Sequence, residues 1–157
     1  MKPDIQRVAP DKAREVAVLV GEYQAEIMSA IGTSGFRFRL AEAVVEREEF
    51  LEWDEYVVLI ARSPRGHPLG FITLFEHQAH YLGDPFGMVA ELYVRPEYRR
   101  RRIAHRLMEQ AKSHARSHRW KHLQLAMPAP VQLGEALTFF ERERFVNAGD
   151  RKMMLVL

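Results

Sequence analysis

The sequence predicts an α/β fold in a single domain over residues 1–157. Its length of 157 residues suits one domain and leaves little room for two. Apolar residues recur at helical spacing in some segments and form short β-branched runs in others. No internal repeat, linker or shift in composition divides the chain.

The first third of the chain predicts one strand and two helices. Ile5–Val8 has the length and apolar character of a short strand. Apolar residues at helical spacing predict a helix over Ala13–Ile27, and Gly32 and Gly35 are expected to end it. Apolar residues on one side and glutamates on the other predict a second helix over Ala41–Trp53.

The middle third predicts three strands. A turn signature at Ser63–Gly66 separates two β-branched runs, which are therefore expected to pair as a hairpin. The segment Glu76–Phe86 is typical of a loop, and Pro96 is expected to end the third strand because proline cannot donate to a ladder. The predicted strands are Tyr56–Ala61, Leu69–Phe75 and Met88–Val94.

The last third contains the strongest helical pattern of the sequence. Ile103, Leu107 and Ala111 form one apolar stripe, which predicts a helix over Ile103–Ser117. The remaining predicted elements are a strand over Leu123–Met127, a helix over Gly134–Arg142, and final strands at Phe145 and Met153–Leu157. The predicted order is therefore β-α-α-β-β-β-α-β-α-β.

The composition excludes several classes of protein. The chain has no cysteine, which rules out disulfides, a thiolate nucleophile and cysteine metal sites. No segment approaches the ~18 consecutive apolar residues of a membrane span, and the first ten residues lack the apolar run of a signal peptide. We therefore expect a cytoplasmic protein with no membrane partner.

The most informative segment joins the strand that ends at Val94 to the helix that begins at Ile103. Arg99–Arg102 are four consecutive arginines, and their guanidinium groups repel one another unless an anion neutralises them. The first amides of a helix lack internal partners and attract anions. The segment is therefore suited to a phosphate or pyrophosphate. A solvated basic turn is the alternative on charge alone.

Two motifs carry a family resemblance. Residues 94–99 read V-R-P-E-Y-R and are followed by Ile103 and Ala104, while residues 136–145 read A-L-T-F-F-E-R-E-R-F. Both motifs resemble elements of the GNAT superfamily of N-acetyltransferases. The first is similar to the family's V-x-P-x-Y/H-R/Q strand end and the R/Q-x-x-G-x-G/A loop that follows it. The second is similar to the family's A-x-x-F-Y-x-x-x-G-F element. The resemblance implies a mixed, mainly antiparallel central sheet flanked by helices.

The same resemblance implies a reaction and a set of binding residues. The reaction is transfer of an acetyl group from acetyl-CoA, the cosubstrate, to an amine acceptor, and it requires no metal. Main-chain groups of the motif strand would pair with the pantetheine arm, and amides of the loop and first helical turn would hold the pyrophosphate. The expected cofactor-binding residues are Leu92, Tyr93, Val94, Arg99, Arg100, Arg101, Arg102, Ile103, Ala104, His105 and Phe140.

Three positions depart from the family pattern. Arg102 stands where the loop has a glycine, Phe140 where many members have a tyrosine that protonates the departing thiolate, and Arg144 where a glycine precedes Phe145. A negative φ at Arg102 would accommodate the side chain, whereas a positive φ would strain the loop. The change at Arg144 is expected to affect only the turn.

Glu91 is the candidate general base. It lies three residues before Val94 on the motif strand, where a carboxylate could act through water. An ordinary polar residue on the solvent face of the strand is the alternative. The general acid stays open among Tyr81, Tyr93 and Tyr98, because each is more often a packing residue.

Further polar residues are weaker candidates for acceptor contacts or metal binding. His77, His80, Tyr23 and Glu26 are candidate acceptor contacts, with an ordinary loop or core role as the alternative. His114 and His118 have a spacing that can bind zinc, but a solvated helix face is the better interpretation.

The sequence leaves three alternatives to this function. A catalytically impaired GNAT domain that binds CoA or a protein partner is suggested by Arg102 and Phe140. A nucleic-acid partner is disfavoured by the net charge of only +2 and the lack of clustered aromatics. A homodimer formed through an exposed final strand, Met153–Leu157, is compatible with the enzyme.

Overall fold

The computed structural model describes residues 2–32, 37–78, 83–126, 133–149 and 152–157. The helices in these ranges are α1 Ala13–Ala30, α2 Leu40–Leu51, α3 Ile103–Ser117 and α4 Leu133–Arg142, with short 3-10 turns at Pro10–Lys12 and Pro96–Tyr98. The strands are β1 Asp4–Arg7, β2 Tyr56–Arg62, β3 Pro68–Gln78, β4 Pro85–Val94, β5 His122–Ala126, β6 Val146–Asn147 and β7 Lys152–Val156. None of these helices is long and apolar enough to cross a bilayer.

The strands form one sheet in the order β1-β2-β3-β4-β5-β7-β6. Every neighbouring pair is antiparallel except β4 and β5, which run parallel. A parallel pair needs a crossover connection, and α3 supplies it. The predicted mixed, mainly antiparallel sheet flanked by helices is therefore confirmed.

Helices cover both faces of the sheet. The apolar stripe of α1, which includes Val16 and Leu19, packs with Phe71 on one face, and α2 joins this core through Phe50. The stripe of α3, which includes Leu107, packs into a separate core on the other face. The helical periodicity of the sequence thus identified the buried sides of α1 and α3.

The predicted loop Glu76–Phe86 was too long at both ends. β3 continues to Gln78 and β4 already begins at Pro85, and Glu76 pairs with Gly87 in the register. Main-chain pairing does not depend on apolar side chains, so polar residues continue the ladder at the end of the hairpin. The Trp120 Nε1 donates to Glu76 Oε1 at 2.6 Å, which gives the glutamate a partner there.

The C-terminal strand is not the edge of the sheet, contrary to the predicted exposed strand Met153–Leu157. β7 lies between β5 and β6, and β6 is the edge strand. Only Met153 and Met154 of β7 pair with β6. The predicted strand at Phe145 begins one residue later, at Val146, because the Phe145 N–H donates to the Phe140 carbonyl of α4 at 3.0 Å.

Candidate functional site

The centre of the sheet opens between β4 and β5. The two strands pair only over Gly87–Val89 and Leu123–Leu125, and the β3–β4 register shifts at Thr73 and Leu74, which leaves Ala90 as an extra residue. Beyond this bulge, the β5-facing main chain of β4 up to Val94 has no strand partner among the described residues. Such an edge can pair with an extended ligand.

Side chains beyond the bulge alternate between the two cores. Leu92 and Val94 belong to the core beneath α3, whereas Glu91 and Tyr93 face α1 and α2. The predicted pantetheine-binding residues Leu92, Tyr93 and Val94 therefore share one strand edge, and their side chains anchor that edge from both faces.

The loop after β4 has an unusual backbone. Arg100 and Arg102 have φ values of 64° and 62°, while Arg101 is not among the residues with positive φ. A backbone whose φ alternates in sign turns successive N–H groups towards one side and forms an anion-binding concavity. Arg102 is the N-cap of α3 and makes no side-chain cap, so its helix presents uncapped amides beside this concavity.

The arginine at position 102 keeps a glycine-like conformation. Its φ of 62° and ψ of 19° lie in the left-handed region, so the strained alternative of the sequence prediction applies, at a cost of about 1–2 kcal/mol. Arg144, also at a predicted glycine position, has a φ of 76°. Both arginines thus adopt the left-handed conformation that favours glycine.

The four consecutive arginines do not form one cluster. Arg99 turns towards α1, where its Nη2 donates to Glu26 Oε2 at 2.6 Å and its Nε donates to the Val94 carbonyl at 2.8 Å. The guanidinium of Arg101 lies over the Tyr98 ring at 5.8 Å. Arg100 and Arg102 are exposed. Arg99 therefore ties the loop to the strand and to α1.

Glu91 lies in a buried ion pair and not on a solvent face. Its Oε1 accepts from Arg47 Nη1 at 2.7 Å and from Thr73 Oγ1 at 3.1 Å, and its Oε2 accepts from Arg47 Nη2 at 3.3 Å. The side chain of Glu91 is 12% exposed. The carboxylate is held in place by a guanidinium fork from α2.

Arg47 is a site residue that the sequence analysis missed. Its Nη1 also donates to the Tyr56 hydroxyl at 2.6 Å. Burial alone would lower the pKa of Arg47, but Glu91 and Tyr56 raise it on balance. Burial raises the pKa of Tyr56 to about 12, so the hydroxyl stays protonated. The signal was present, because Arg47 lies three residues from Val44 and from Phe50, on the apolar side of α2.

Hydrogen bonding and burial affect the tyrosines that could act as the general acid. The Tyr93 hydroxyl donates to Glu22 Oε1 at 3.3 Å, and burial, followed by Glu22, raises the pKa of Tyr93 to about 12. Burial, with Glu91 and Glu26, also raises the pKa of Tyr23. Tyr81 lies outside the described residues. The raised pKa values of Tyr93 and Tyr23 make each of these hydroxyls a weaker acid than a free tyrosine.

Phe140 lies where the resemblance expects a tyrosine. Its side chain is buried and packs against the rings of Phe139 and Phe145, with centroids at 5.2 and 5.5 Å. The ring therefore contributes apolar surface beside α3 and no proton.

A second buried carboxylate, Glu143, was also missed. Its Oε2 lies 2.7 Å from His105 Nδ1, and its Oε1 accepts from Lys112 Nζ at 3.2 Å. Lys112 also donates to Glu109 at 3.2 Å. His105, Glu109 and Glu143 bring possible metal donors within 4.8 Å of one another, but the Lys112 ammonium bonds both carboxylates and supplies positive charge there. The result is a fixed imidazole in the first turn of α3.

The weaker candidates are dispersed. His77 is exposed and stacks on Phe86 at 5.5 Å, and His80 lies outside the described residues. The rings of His114 and His118 stack at 4.0 Å, and the Nδ1 of His118 lies 3.0 Å from the His114 carbonyl. Stacked rings do not converge on an ion. Tyr23 and Glu26 lie on α1 near Tyr93 and Arg99.

Opposite charges collect on opposite faces of the sheet. Residues 99–121 contain nine arginines and lysines and one glutamate, whereas residues 40–55 contain seven acidic residues and one arginine. All seven of these acidic side chains are exposed. The loop and α3 therefore form a positive surface, and α2 forms a negative one.

One family model matches the part of the chain that contains β4, the loop after it and the N-terminus of α3. Residues 25–133 match the model of the acetyltransferase (GNAT) family. The chain belongs to this family. The GNAT resemblance is thereby confirmed, and the match includes the first motif, residues 94–99, whereas the second motif, residues 136–145, lies beyond it. A search of curated proteins found no match.

Solved structures share the fold of this GNAT chain at low sequence identity. The aminoglycoside N-acetyltransferase AAC(6')-Iy in complex with CoA has a TM-score of 0.77 at 14% identity, covering 94% of this chain and 90% of that one. The ribosomal-protein-alanine N-acetyltransferase from Brucella melitensis biovar Abortus 2308 has a TM-score of 0.67 at 21% identity, covering 95% and 94%. An aminoglycoside acetyltransferase from an uncultured soil metagenomic sample has a TM-score of 0.73 at 19% identity, covering 91% of both chains.

Proposed function

We propose that the protein transfers an acetyl group from acetyl-CoA to a primary amine. One observation carries this proposal: the unpaired edge of β4 runs directly into the alternating-φ loop and the start of α3. An extended ligand with a phosphate at one end fits that sequence of features. The acceptor belongs to one of four classes: a small polyamine, an amino acid, an antibiotic, or a protein N-terminus or lysine.

Binding of acetyl-CoA is assigned mainly to the backbone. Main-chain groups of Leu92, Tyr93 and Val94 would pair with the pantetheine arm, and amides from Arg100 to His105 would hold the pyrophosphate. Because the Arg99 side chain bonds Val94 and Glu26, its role would be to fix the loop. Phe140 would line the apolar wall beside the thioester.

The chemistry needs a neutral amine and a departing thiol. The amine nitrogen attacks the thioester carbonyl, the carbon–sulfur bond breaks, and the amine proton is finally carried by the thiol sulfur. Glu91 is the base we propose, and it would take the proton through water. A thiol pKa near about 8.5 makes thiolate a tolerable leaving group, so an active site with Phe140 in place of tyrosine would be slower and still active.

A catalytically impaired GNAT domain is the second candidate. The specific observation in its favour is the Glu91–Arg47 ion pair, in which both carboxylate oxygens already accept hydrogen bonds. Such a domain would bind CoA or a protein partner without acetyl transfer. We also retain a homodimer and a cytoplasmic location as proposals.

Calorimetric titration with acetyl-CoA tests the proposal first. We expect micromolar binding, an at least tenfold weaker affinity for Arg102→Glu, and unchanged affinity for the control Arg65→Glu in the exposed β2–β3 turn. A screen of primary amines for CoA release follows. Binding without acetylation of any amine would favour the impaired domain, and no binding at millimolar acetyl-CoA would refute both candidates that use the cofactor.

A further inference from the structure

Helices α1 and α2 cover only part of their face of the sheet. Among the described residues, the core beneath them includes side chains of β2, β3 and β4 but none of β5, β6 or β7. The opposite face of β5 and β7 is covered, since Leu123 and Met153 are buried in the core beneath α3. Successive side chains of a strand alternate between the two faces. On the uncovered side, β5 and β7 therefore present His122, Gln124, Met154 and Val156.

Three rings cross this uncovered side in one row. The ring of Phe86 on β4 stacks on His77 of β3 with centroids at 5.5 Å, and on His122 of β5 with centroids at 4.7 Å. These spacings are close to the distance of about 4.8 Å between neighbouring strands, so the rings stand side by side on the sheet. His77 is exposed, and the other two rings are half-buried. Their edges therefore form an aromatic surface that solvent reaches.

This row of rings is continuous with the proposed base. Along β3 and β4, the next pair towards the base is Phe75 with Met88, and the pair after it is Thr73 with Glu91. Phe75 and Met88 are half-buried, and the side chain of Glu91 is 12% exposed. Side chains two residues apart on a strand lie about 7 Å apart, so the row of rings lies about 13 Å from Glu91. We call the rings, Phe75, Met88 and Met154 together the aromatic face.

The charges near the aromatic face do not suit a second cation. No described side chain of β5, β6 or β7 is acidic, and Lys152 adds a positive charge on the uncovered side. Arg47 already bonds the carboxylate of Glu91. The exposed glutamates of α2 lie about 100° or more around the helix from Arg47, whose side chain reaches the sheet. They therefore point away from the aromatic face.

We infer that the amine acceptor carries an aromatic body, which lies on the aromatic face while its nitrogen lies beside Glu91. The inference rests on the proposed function, because it describes the acceptor of the same reaction. Phe75 and Met88 contact the part of the body nearest the amine, and the row of rings contacts its far end. A ring above ring edges has the T-shaped arrangement that aromatic pairs favour, and methionine sulfur packs well against aromatic rings.

The inference narrows the four classes of acceptor. An amino acid or a peptide N-terminus with an aromatic side chain has the required body. A polyamine or a polycationic antibiotic would place a second ammonium on the aromatic face, where it would lose water and gain no free carboxylate.

Three amines with the same four-carbon chain test this selectivity: butylamine, 4-phenylbutylamine and 1,4-diaminobutane. Butylamine and 4-phenylbutylamine present the same alkyl amine and differ in the ring, so amine basicity does not separate them. In assays of CoA release we expect kcat/KM to be about tenfold higher for 4-phenylbutylamine than for butylamine, because the ring leaves water. For 1,4-diaminobutane, kcat/KM should be no higher than for butylamine.

Methionine methyl resonances give a second measurement that needs no turnover. Met153 and Met154 are neighbours on β7 whose side chains lie on opposite faces, and Met153 is 3% exposed. Millimolar 4-phenylbutylamine should shift the methyl resonances of Met88 and Met154 through its ring current and leave that of Met153 unchanged. Butylamine should shift none of the three. Met88→Leu, Met153→Leu and Met154→Leu assign the resonances.

A variant tests the row of rings directly. Phe86→Leu should reduce the preference for 4-phenylbutylamine over butylamine from about tenfold to about threefold or less. Val45→Ala is the control, because Val45 is 64% exposed on α2 and outside the aromatic face. It should keep the tenfold preference. The two measurements on the wild-type protein do not depend on the folding of either variant.

The outcomes separate this inference from the proposed function. Equal kcat/KM for butylamine and 4-phenylbutylamine, or a higher value for 1,4-diaminobutane, would overturn the inference while acetyl transfer stands. Unshifted resonances of Met88 and Met154 would overturn it whether or not CoA is released. If both resonances shift but none of the amines releases CoA, the aromatic face is supported as a binding surface and the proposed function fails.

Discussion

The two faces of the sheet each bury one carboxylate next to the proposed cofactor site. Glu91 on the α1–α2 face is 12% exposed, and Glu143 on the α3–α4 face is 7% exposed. Glu91 is bonded by both Nη groups of Arg47, whereas Glu143 shares its two oxygens between Lys112 and His105. Two buried acids thus have different kinds of partner.

The difference indicates two different roles. A guanidinium fork from one helix fixes Glu91 in a single orientation, and Thr73 adds a third bond. Lys112 and His105 both belong to α3, so Glu143 joins the end of α4 to two positions that lie about two turns apart on that helix. Burial therefore did not by itself decide what either carboxylate does, and the variants below separate the two cases.

Removal of Arg47 should have the largest effect. Arg47→Met leaves Glu91 buried with only Thr73 as a partner, and we expect a loss of about 3–5 kcal/mol in the free energy of unfolding. Urea denaturation measures it. Glu91→Gln in the Arg47→Met background is the control and should recover most of the loss, because no unpaired charge remains. A loss below about 1 kcal/mol would contradict the buried ion pair.

Removal of Lys112, the corresponding partner on the α3–α4 face, should lower the free energy of unfolding by less than removal of Arg47. Lys112→Met removes one partner of Glu143 and leaves the 2.7 Å contact with His105, so we expect a loss of about 2 kcal/mol by the same measurement. Glu143→Gln in that background is its control. A loss equal to that of Arg47→Met would contradict the different roles of Glu91 and Glu143.

The role of Glu91 in proton transfer predicts a selective kinetic effect. At pH 7, Glu91→Gln should lower kcat/KM about tenfold or more for a lysine-like amine and only about threefold for an α-amine, because the α-amine has the lower pKa. Steady-state assays of CoA release measure both. Thr73→Val is the matched control, since it removes a hydrogen bond to Glu91 and keeps the carboxylate. Equal losses for the two amines would exclude Glu91 as the base.

The smallest effect concerns pH and belongs to the α3 face. Burial, followed by the nearby charge of His118, lowers the pKa of His114 to about 4. Between pH 6.5 and 4 the unfolded chain therefore binds a proton that the folded chain does not, so folding stability falls as the pH falls through this window. Above pH 6.5 the contribution is fully present.

We expect His114→Gln to reduce the loss of stability between pH 7 and 5 by about 1 kcal/mol, a value discounted for the partial exposure of the ring. Urea denaturation at the two pH values checks it. His67→Gln, in the exposed β2–β3 turn, is the control and should leave the slope unchanged. A steeper slope in His114→Gln would show that the ring is protonated in the folded protein.

Three elements show which parts of the fold could be predicted from the sequence. The helix over Ile103–Ser117 was predicted with the bounds that the structure has, because its apolar stripe and the basic loop before it are local features. The end of β3 was missed, because Glu76 joins the ladder through main-chain bonds that leave no periodic pattern. The strand at Met153–Leu157 was found, but its neighbours in the sheet were not.

The candidate site divides in the same way. The sequence by itself determined which residues form the loop and the helix start, and it placed arginines where the family has glycine. Only the tertiary structure decided that Arg102 keeps a left-handed φ, that Ala90 bulges, and that Arg47 holds Glu91. The physical reason is range: helical periodicity and turn chemistry act within a few residues, whereas the Arg47–Glu91 pair joins positions 44 residues apart. Contacts of that kind exist only once α2 has packed on the sheet.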